Sequence, residues 1–271
     1  MTGTAKAFVR HYTRSHRLTR HPDRSPSTER SSLGTDDMNE QEGRQYYLSR
    51  KSGILSLFDT HANAWRPFLA NHYGDEFTNT VLREAREQHE ALIPEIAYIG
   101  GDGNPMTRHL VRSTTSLALY KAMKVRGKTA RETGKIVYDA VVASVSQLPP
   151  STFKELSAEY IAQEKEQARK SQDHCYAGDW VWEFVEGDGV EFDYGRDFLE
   201  CGTQKLYHAH GADSFLPFYC YLDFITHRTI GWGFARSMTL AEGHGKCDFR
   251  WKKGGETRKG WPPPSIREEY N

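Results

Sequence analysis

Trp180-Val-Trp-Glu-Phe-Val-Glu186 is the stretch at which the pattern of the chain changes, and its reading decides the fold. Trp180, Trp182 and Phe184 alternate with Val181, Glu183 and Val185, a period-two pattern that suits a strand buried partly on both faces. Glu186-Gly-Asp-Gly189 supplies a hairpin turn, and Glu191 to Tyr194 begins the return strand. Two short helical patterns follow over about 198–210 and 213–229, separated by Gly211. A strand-like run from Trp232 to Leu240, a turn at Glu242-Gly-His-Gly245 and a strand from Lys246 to Trp251 close the unit. The order ββααββ predicts an α+β region over 173–254, with helices layered on an antiparallel sheet.

Before this unit the period is helical. Between Gln45 and Gln172 apolar residues recur three and four apart, as in Ile54, Leu57 and Phe58, and again in Phe77, Val81 and Leu82. Pro94 interrupts the run, Tyr98 to Met106 is a glycine-dense loop, and Leu110, Leu117, Ala118 and Met123 mark the next helix. Gly127 stands where that helix should stop. Thr129-Ala-Arg-Glu132 then has capping-box spacing, in which a hydroxyl and a carboxylate satisfy orphan backbone donors reciprocally. Pro149-Pro150 ends this helix, and Ser151 can cap a long polar one running to Lys170, read as a connector between halves. The helical region is thus 41–172. Residues 1–40 form a basic leader with few large apolar side chains, expected to be disordered because burial cannot offset its ordering entropy. Its Arg-rich, acid-poor first half reads either as an organelle transit peptide or as a non-native start upstream of Met38. The tail, 255–271, carries Pro262-Pro-Pro264 and is expected to be irregular.

A chain of 271 residues can bury a real core, and its 36 basic residues balance its 36 acidic ones. No global field therefore favours nucleic acid or an anionic membrane surface. No apolar run approaches the roughly 20 residues that cross a bilayer, and no apolar signal core opens the chain. The expected setting is cytoplasmic, with Cys175, Cys201, Cys220 and Cys247 as free thiols. The expected partner is a small-molecule substrate, with no nucleic acid and no membrane; oligomeric state is not fixed by these features.

Three of those cysteines fall near other reactive groups. Cys201, Lys205 and His208 share one face if their segment is helical, and Cys220 and Asp223 share a face three residues apart. Cys247 alternates with Phe249 and Trp251 on the last strand. Packing the helices on the sheet can bring the thiols together; equally, each can be a buried small hydrophobe. No close Cys pair nucleates a zinc site, so no metal and no cofactor are expected. The glycine loop lacks a Gly-Lys-Ser/Thr ending, and no Gly-x-Ser-x-Gly elbow occurs, which argues against nucleotide binding and a serine triad.

Several motifs stand in order along 45–251: Tyr98-Ile-Gly-Gly-Asp-Gly-Asn-Pro-Met-Thr107, Leu117-Ala-Leu-Tyr-Lys-Ala-Met-Lys124 and Gly127-Lys-Thr-Ala-Arg-Glu-Thr-Gly134 in the helical half. Phe184-Val-Glu-Gly-Asp-Gly189, Glu200-Cys-Gly202, Cys220 with Asp223, Thr239-Leu-Ala-Glu-Gly243 and Cys247-Asp-Phe-Arg250 follow in the second half. Together they resemble the L-2-amino-thiazoline-4-carboxylic acid hydrolase family. The second half is also similar, more weakly, to small-molecule-binding domains of the vinyl-reductase type. Gly202-Thr-Gln-Lys205 departs from relatives that look more like Gly-Ile-Cys-Lys. The resemblance implies a hydrolase acting on a cyclic amidine-type C–N bond, opening a small heterocyclic carboxylate such as L-2-amino-thiazoline-4-carboxylate to N-carbamoyl-L-cysteine. The alternatives are a non-catalytic small-molecule sensor, or a C–N hydrolase or ring-rearranging enzyme of secondary metabolism.

Ring opening needs a nucleophile, a proton for the departing group and a hold on the carboxylate. Asp223 is the expected acid or base, its pKa raised in an apolar interface. Cys220 or Cys247, with Cys201 beside them, are the candidate nucleophiles, lowered in pKa by Lys205 or His208 if these lie near. Arg236, between Phe234 and Met238, is the candidate for the substrate carboxylate or else a structural ion pair. Lys205, His208 and Asn104 complete the substrate-binding candidates.

Overall fold

The computed structural model describes residues 35–146, 157–229, 232–257 and 259. Most of the expected leader, the Pro149-Pro150 stop, the Ser151 cap and the proline-rich tail lie outside the described residues.

The helical region opens with α1 (Thr35–Ser49) and α2 (Lys51–Leu92). The 42 residues of α2 are two arms, because Gly74 sits at φ 79° and ψ 168°, outside helical space and open chiefly to glycine. The arms run antiparallel: Lys51 meets Glu90, Asp59 meets Arg86 at 2.9 Å, and Arg66 donates to Asn79 at 2.6 Å. Against this hairpin packs α3 (Thr107–Val125), whose Ser113, Thr114, Thr115 and Ser116 are all buried. Two buried imidazoles meet those hydroxyls, His61 on Thr115 at 2.7 Å and His89 on Thr114 at 2.9 Å. The next helix, α4 (Ala130–Val145), begins at the predicted capping box: Glu132 N–H donates to Thr129 Oγ1 at 3.1 Å and Thr129 N–H donates to Glu132 Oε2 at 2.7 Å.

The polar helix, α5 (Ala158–Ser171), read as a connector between halves, is capped by Ser157. It lies along the sheet edge and buries Glu164 and Ala168. Ser171 Oγ accepts from Trp182 N–H at 3.0 Å and Gln172 Nε2 donates to Trp182 C=O at 2.8 Å, so the helix end satisfies backbone groups of an edge strand that would otherwise invite pairing.

Four strands, β1 (Val181–Glu186), β2 (Tyr194–Glu200), β3 (Trp232–Ala235) and β4 (Cys247–Lys253), form an antiparallel sheet in the order β1-β2-β4-β3. Between β2 and β3 run α6 (Gly202–Ala209), α7 (Leu216–Cys220) and α8 (Leu222–Thr229), giving the expected ββααββ order with its second helix broken in two. The boundaries move for local reasons. β2 continues to Glu200 because Phe198 pairs across to both Trp182 and Cys247, so helix cannot begin at 198. β3 stops at Ala235, since Ser237 and Met238 turn their N–H groups onto Asp248 Oδ1 instead of a neighbouring strand. One hydrophobic cluster runs from Tyr47 and Trp65 in the helical region to Trp182, Phe198 and Cys247 on the sheet, so both regions share a core. A smaller aromatic cluster of Tyr194, Tyr221, Phe224, Trp232, Phe234 and Trp251 adjoins it.

Candidate active site

Strand alternation sets the floor of the site. Tyr194, Arg196 and Phe198 of β2 share a face with Cys247, Phe249 and Trp251 of β4, as the register Phe198↔Cys247 and Arg196↔Phe249 requires. α7 and α8 cover that face. Cys220 closes α7, and on α8 Asp223, Thr226 and His227 lie three and four apart, on one side of the helix. Between the layers is a cavity of about 250 Å³. Its walls are largely aromatic, with Trp180, Trp182, Tyr219, Phe249 and Trp251 among them. Cys201, Cys220 and Cys247 all line it, together with Asp223 and Arg236. The helical region contributes too, through His109 and Arg112 of α3 and Tyr160 and Gln167 of α5.

Arg236 and Asp223 form the polar centre. Arg236 Nη1 donates to Asp223 Oδ2 at 2.8 Å and Nη2 donates to the Cys220 carbonyl at 3.1 Å. The guanidinium is 5 % exposed and lies 5.1 Å from the Phe249 ring centre and 5.3 Å from that of Phe224. Burial raises the Asp223 pKa above the ordinary carboxylate value, and Arg236 opposes the shift without cancelling it. The part of Asp223 that remains accessible belongs to the cavity wall.

The thiols are driven the same way. Burial pushes Cys247 up to about 12 and Cys220 well above the ordinary thiol value, each only partly countered by Arg236. Cys201 is raised by burial as well, although the Gln204 and Thr203 amides and the Trp180 indole favour its thiolate. Each shift favours the S–H form over the thiolate. This corrects the expectation of a lowered thiol pKa, and its physical basis is position. Lys205 does not reach the cavity: its Nζ donates to Glu200 and to the carbonyls of Ala177 and Asp179. His208 is 79 % exposed and pairs with Asp213 at 2.9 Å. Asn104 is likewise spent elsewhere, bonding the Ile99 carbonyl and Asp179 and accepting from Met106 N–H, so it shapes the glycine loop beside the site. Of the candidates named from sequence, Cys201, Cys220, Asp223, Arg236 and Cys247 come together; Lys205, His208 and Asn104 do not.

Two groups that sequence reading missed also face the cavity. Arg196 of β2 pairs with Glu164 of α5, both largely buried, while its Nε has no hydrogen-bond partner among the described residues. Its guanidinium lies 5.3 Å from the Trp251 ring centre. The signal was available: Arg196 alternates with Tyr194 and Phe198 on a strand whose inner face is otherwise aromatic. His227 is the second, with Nδ1 2.7 Å from the Asp223 carbonyl and its ring stacked on Phe234 at 4.4 Å. Its spacing from Asp223 carried the signal. Among the described residues no group of three or more His, Cys, Asp or Glu side chains is arranged to hold a metal ion, and no helix is long and apolar enough to cross a membrane.

A family model described as L-2-amino-thiazoline-4-carboxylic acid hydrolase matches residues 108–251, a span that includes β1 to β3, nearly all of β4 and most of the cavity lining. No curated protein and no solved structure matches the chain.

Proposed function

The chain belongs to the L-2-amino-thiazoline-4-carboxylic acid hydrolase family, and on that premise we propose that its cavity binds a small heterocyclic carboxylate and opens the ring with water, taking L-2-amino-thiazoline-4-carboxylate to N-carbamoyl-L-cysteine. The observation that carries this reading is the gathering of Asp223, Arg236 and the three thiol side chains Cys201, Cys220 and Cys247 in one aromatic-walled cavity. Its size fits: pockets for drug-sized ligands run from about 300 to 1,000 Å³, so about 250 Å³ suits a single small ring with short substituents.

The residues divide the work by what each has left to offer. Arg236 spends one N–H of each terminal nitrogen on Asp223 and the Cys220 carbonyl, and so holds Asp223 in place. Arg196, the other guanidinium at the sheet face of the cavity, takes the substrate carboxylate, where the low dielectric of the aromatic walls strengthens a charge-assisted bond. Water attacks the amidine carbon between sulfur and nitrogen. Thiolate attack is disfavoured, because burial keeps Cys201, Cys220 and Cys247 protonated. They line the pocket around the departing sulfur with soft, polarisable contacts. Asp223 relays a proton from the hydroxyl of the adduct to that sulfur, and its raised pKa brings it closer to the working pH of such a shuttle.

The test is incubation of the purified protein with a panel of small heterocyclic carboxylates, read by mass spectrometry. Gain of one water by the amino-thiazoline carboxylate supports the reading. Binding without turnover across the panel would replace it with a sensor.

A further inference from the structure

We propose that His227 is a catalytic base of this cavity, its Nε2 taking the proton of the attacking water. The assignment rests on the hydrolase reading above and adds to it the group that activates water.

The geometry fixes the tautomer. A carbonyl oxygen only accepts, so the 2.7 Å contact between His227 Nδ1 and the Asp223 carbonyl places the hydrogen on Nδ1. Nε2 then carries the lone pair, and it has no partner among the described residues, yet it is not a sealed orphan atom. His227 lines the cavity, and its Nδ1 edge is occupied by its own helix, which leaves the Nε2 edge for the cavity. Stacking on Phe234 at 4.4 Å, with Trp251 at 5.5 Å, holds the ring plane. A base that is oriented, desolvated and uncommitted is what proton abstraction from water needs.

The surrounding charges keep the ring neutral until substrate arrives. The guanidinium of Arg196 faces it from β2 and that of Arg236 from the segment after β3; Asp223 lies on its own helix, and Phe234 and Trp251 present uncharged rings. Burial, with both guanidinium groups, lowers its pKa to about 4. A substrate carboxylate on Arg196 screens one of those charges and raises the proton affinity of Nε2 as the reaction begins.

The steps balance. The water oxygen bonds to the amidine carbon while its proton passes to Nε2; the C=N electrons settle on the ring nitrogen, which takes that proton from the imidazolium. Collapse re-forms a C=O bond and breaks the carbon–sulfur bond. The hydroxyl proton passes to the Asp223 carboxylate and from there to sulfur, leaving His227 and Asp223 as they began.

His227→Asn keeps a donor for the Asp223 carbonyl and removes the base. With L-2-amino-thiazoline-4-carboxylate as substrate, kcat should fall on the order of 10²- to 10⁴-fold, KM should change only a few-fold, and the acid limb of the wild-type kcat/KM profile should lose the His227 ionisation and keep only that of Asp223. His227→Ala should regain activity with added imidazole, increasingly as pH rises through the imidazole pKa. Wild-type protein gives a readout independent of any variant: in nitrogen-detected NMR, Nε2 should be the unprotonated ring nitrogen, and its resonance should move when thiazolidine-4-carboxylate, a non-reacting analogue, binds. A folded His227→Asn with wild-type kcat, or an Nε2 resonance that ignores the analogue, overturns the assignment. So does a result in which His109→Gln, at the other cavity imidazole, loses an acid-side ionisation while His227→Asn keeps both. Failure of the hydrolase reading is distinguishable, because the wild-type protein itself would then leave the substrate intact.

Discussion

At the scale of single residues, the buried ion pair between Asp223 and Arg236 sets two demands that pull apart under mutation. Asp223→Asn retains an oxygen that can accept from Arg236 Nη1, but it leaves the 5 % exposed guanidinium without a compensating charge. Breaking a fully buried pair costs about 3–5 kcal/mol. Asp223 opens onto the cavity and Asn still accepts, so a loss on the order of 1–3 kcal/mol is expected, from the cost of an imperfectly satisfied polar group. Activity should fall further, on the order of 10²-fold or more, if the carboxylate shuttles the proton. Specific activity and urea midpoint measured on the same preparation separate the two: full activity in the folded variant would remove Asp223 from the chemistry. The sequence made part of this legible. Cys220 and Asp223 stand three apart, and the raised pKa of Asp223 follows from placing a carboxylate in an apolar interface. The partner of Arg236 was readable only as an alternative, because sequence spacing says nothing about which atoms two segments bring together. His227 was one helical turn beyond Asp223, yet its importance depends on a backbone carbonyl occupying Nδ1, which no residue identity encodes.

At the scale of elements, the position of Cys220 depends on how closely α4 approaches α7. Gly134 of α4 makes that approach possible: a Cβ there would lie 2.6 Å from Phe218 Cβ and 2.8 Å from its ring. Gly134→Ala should therefore force the helices apart and cost about 1–3 kcal/mol, the usual penalty for overpacking. Because Cys220 follows Phe218 by two residues on α7, the same substitution should weaken substrate binding, seen as a raised KM. An alanine variant with wild-type melting temperature and KM would show that α7 is not positioned by this contact. Local rules worked well where both partners are close in sequence, as in the Thr129–Glu132 capping box; the turn expected over Glu186–Gly189 is a longer loop, since β1 ends at Glu186 and the return strand begins at Tyr194, not Glu191. They failed at α2. The apolar period continues through Phe77, Val81 and Leu82 after Gly74, so the spacing alone hides that these residues belong to a second arm. Pro67, which would ordinarily mark a break, sits inside the first arm instead. The polar composition of α5 gave no sign that Glu164 would be buried, which it is because Arg196 of the sheet meets it.

At the scale of the whole molecule, the site is assembled by both regions of the chain. The sheet and its covering helices supply the thiols, Asp223, Arg236, Arg196 and His227, while α3 and α5 close the cavity with His109, Arg112, Tyr160 and Gln167. Sequence reading placed the chemistry almost wholly after residue 173, because motif spacing sees only neighbours along the chain. The shared core explains why the helical region matters to the site: it holds α3 and α5 against the sheet, where they supply part of the cavity wall. Such a site should accept a ring small enough for about 250 Å³ and should add water directly, without passing through an isothiourea adduct on a cysteine. The most direct test is a single-turnover reaction with L-2-amino-thiazoline-4-carboxylate in heavy-oxygen water, with both product and protein examined by mass spectrometry. N-carbamoyl-L-cysteine carrying one heavy oxygen in its carbamoyl group, with no adduct on Cys201, Cys220 or Cys247 at any time, is the predicted result; unaltered substrate, or a covalent adduct on one of those thiols that decays into product, would contradict it.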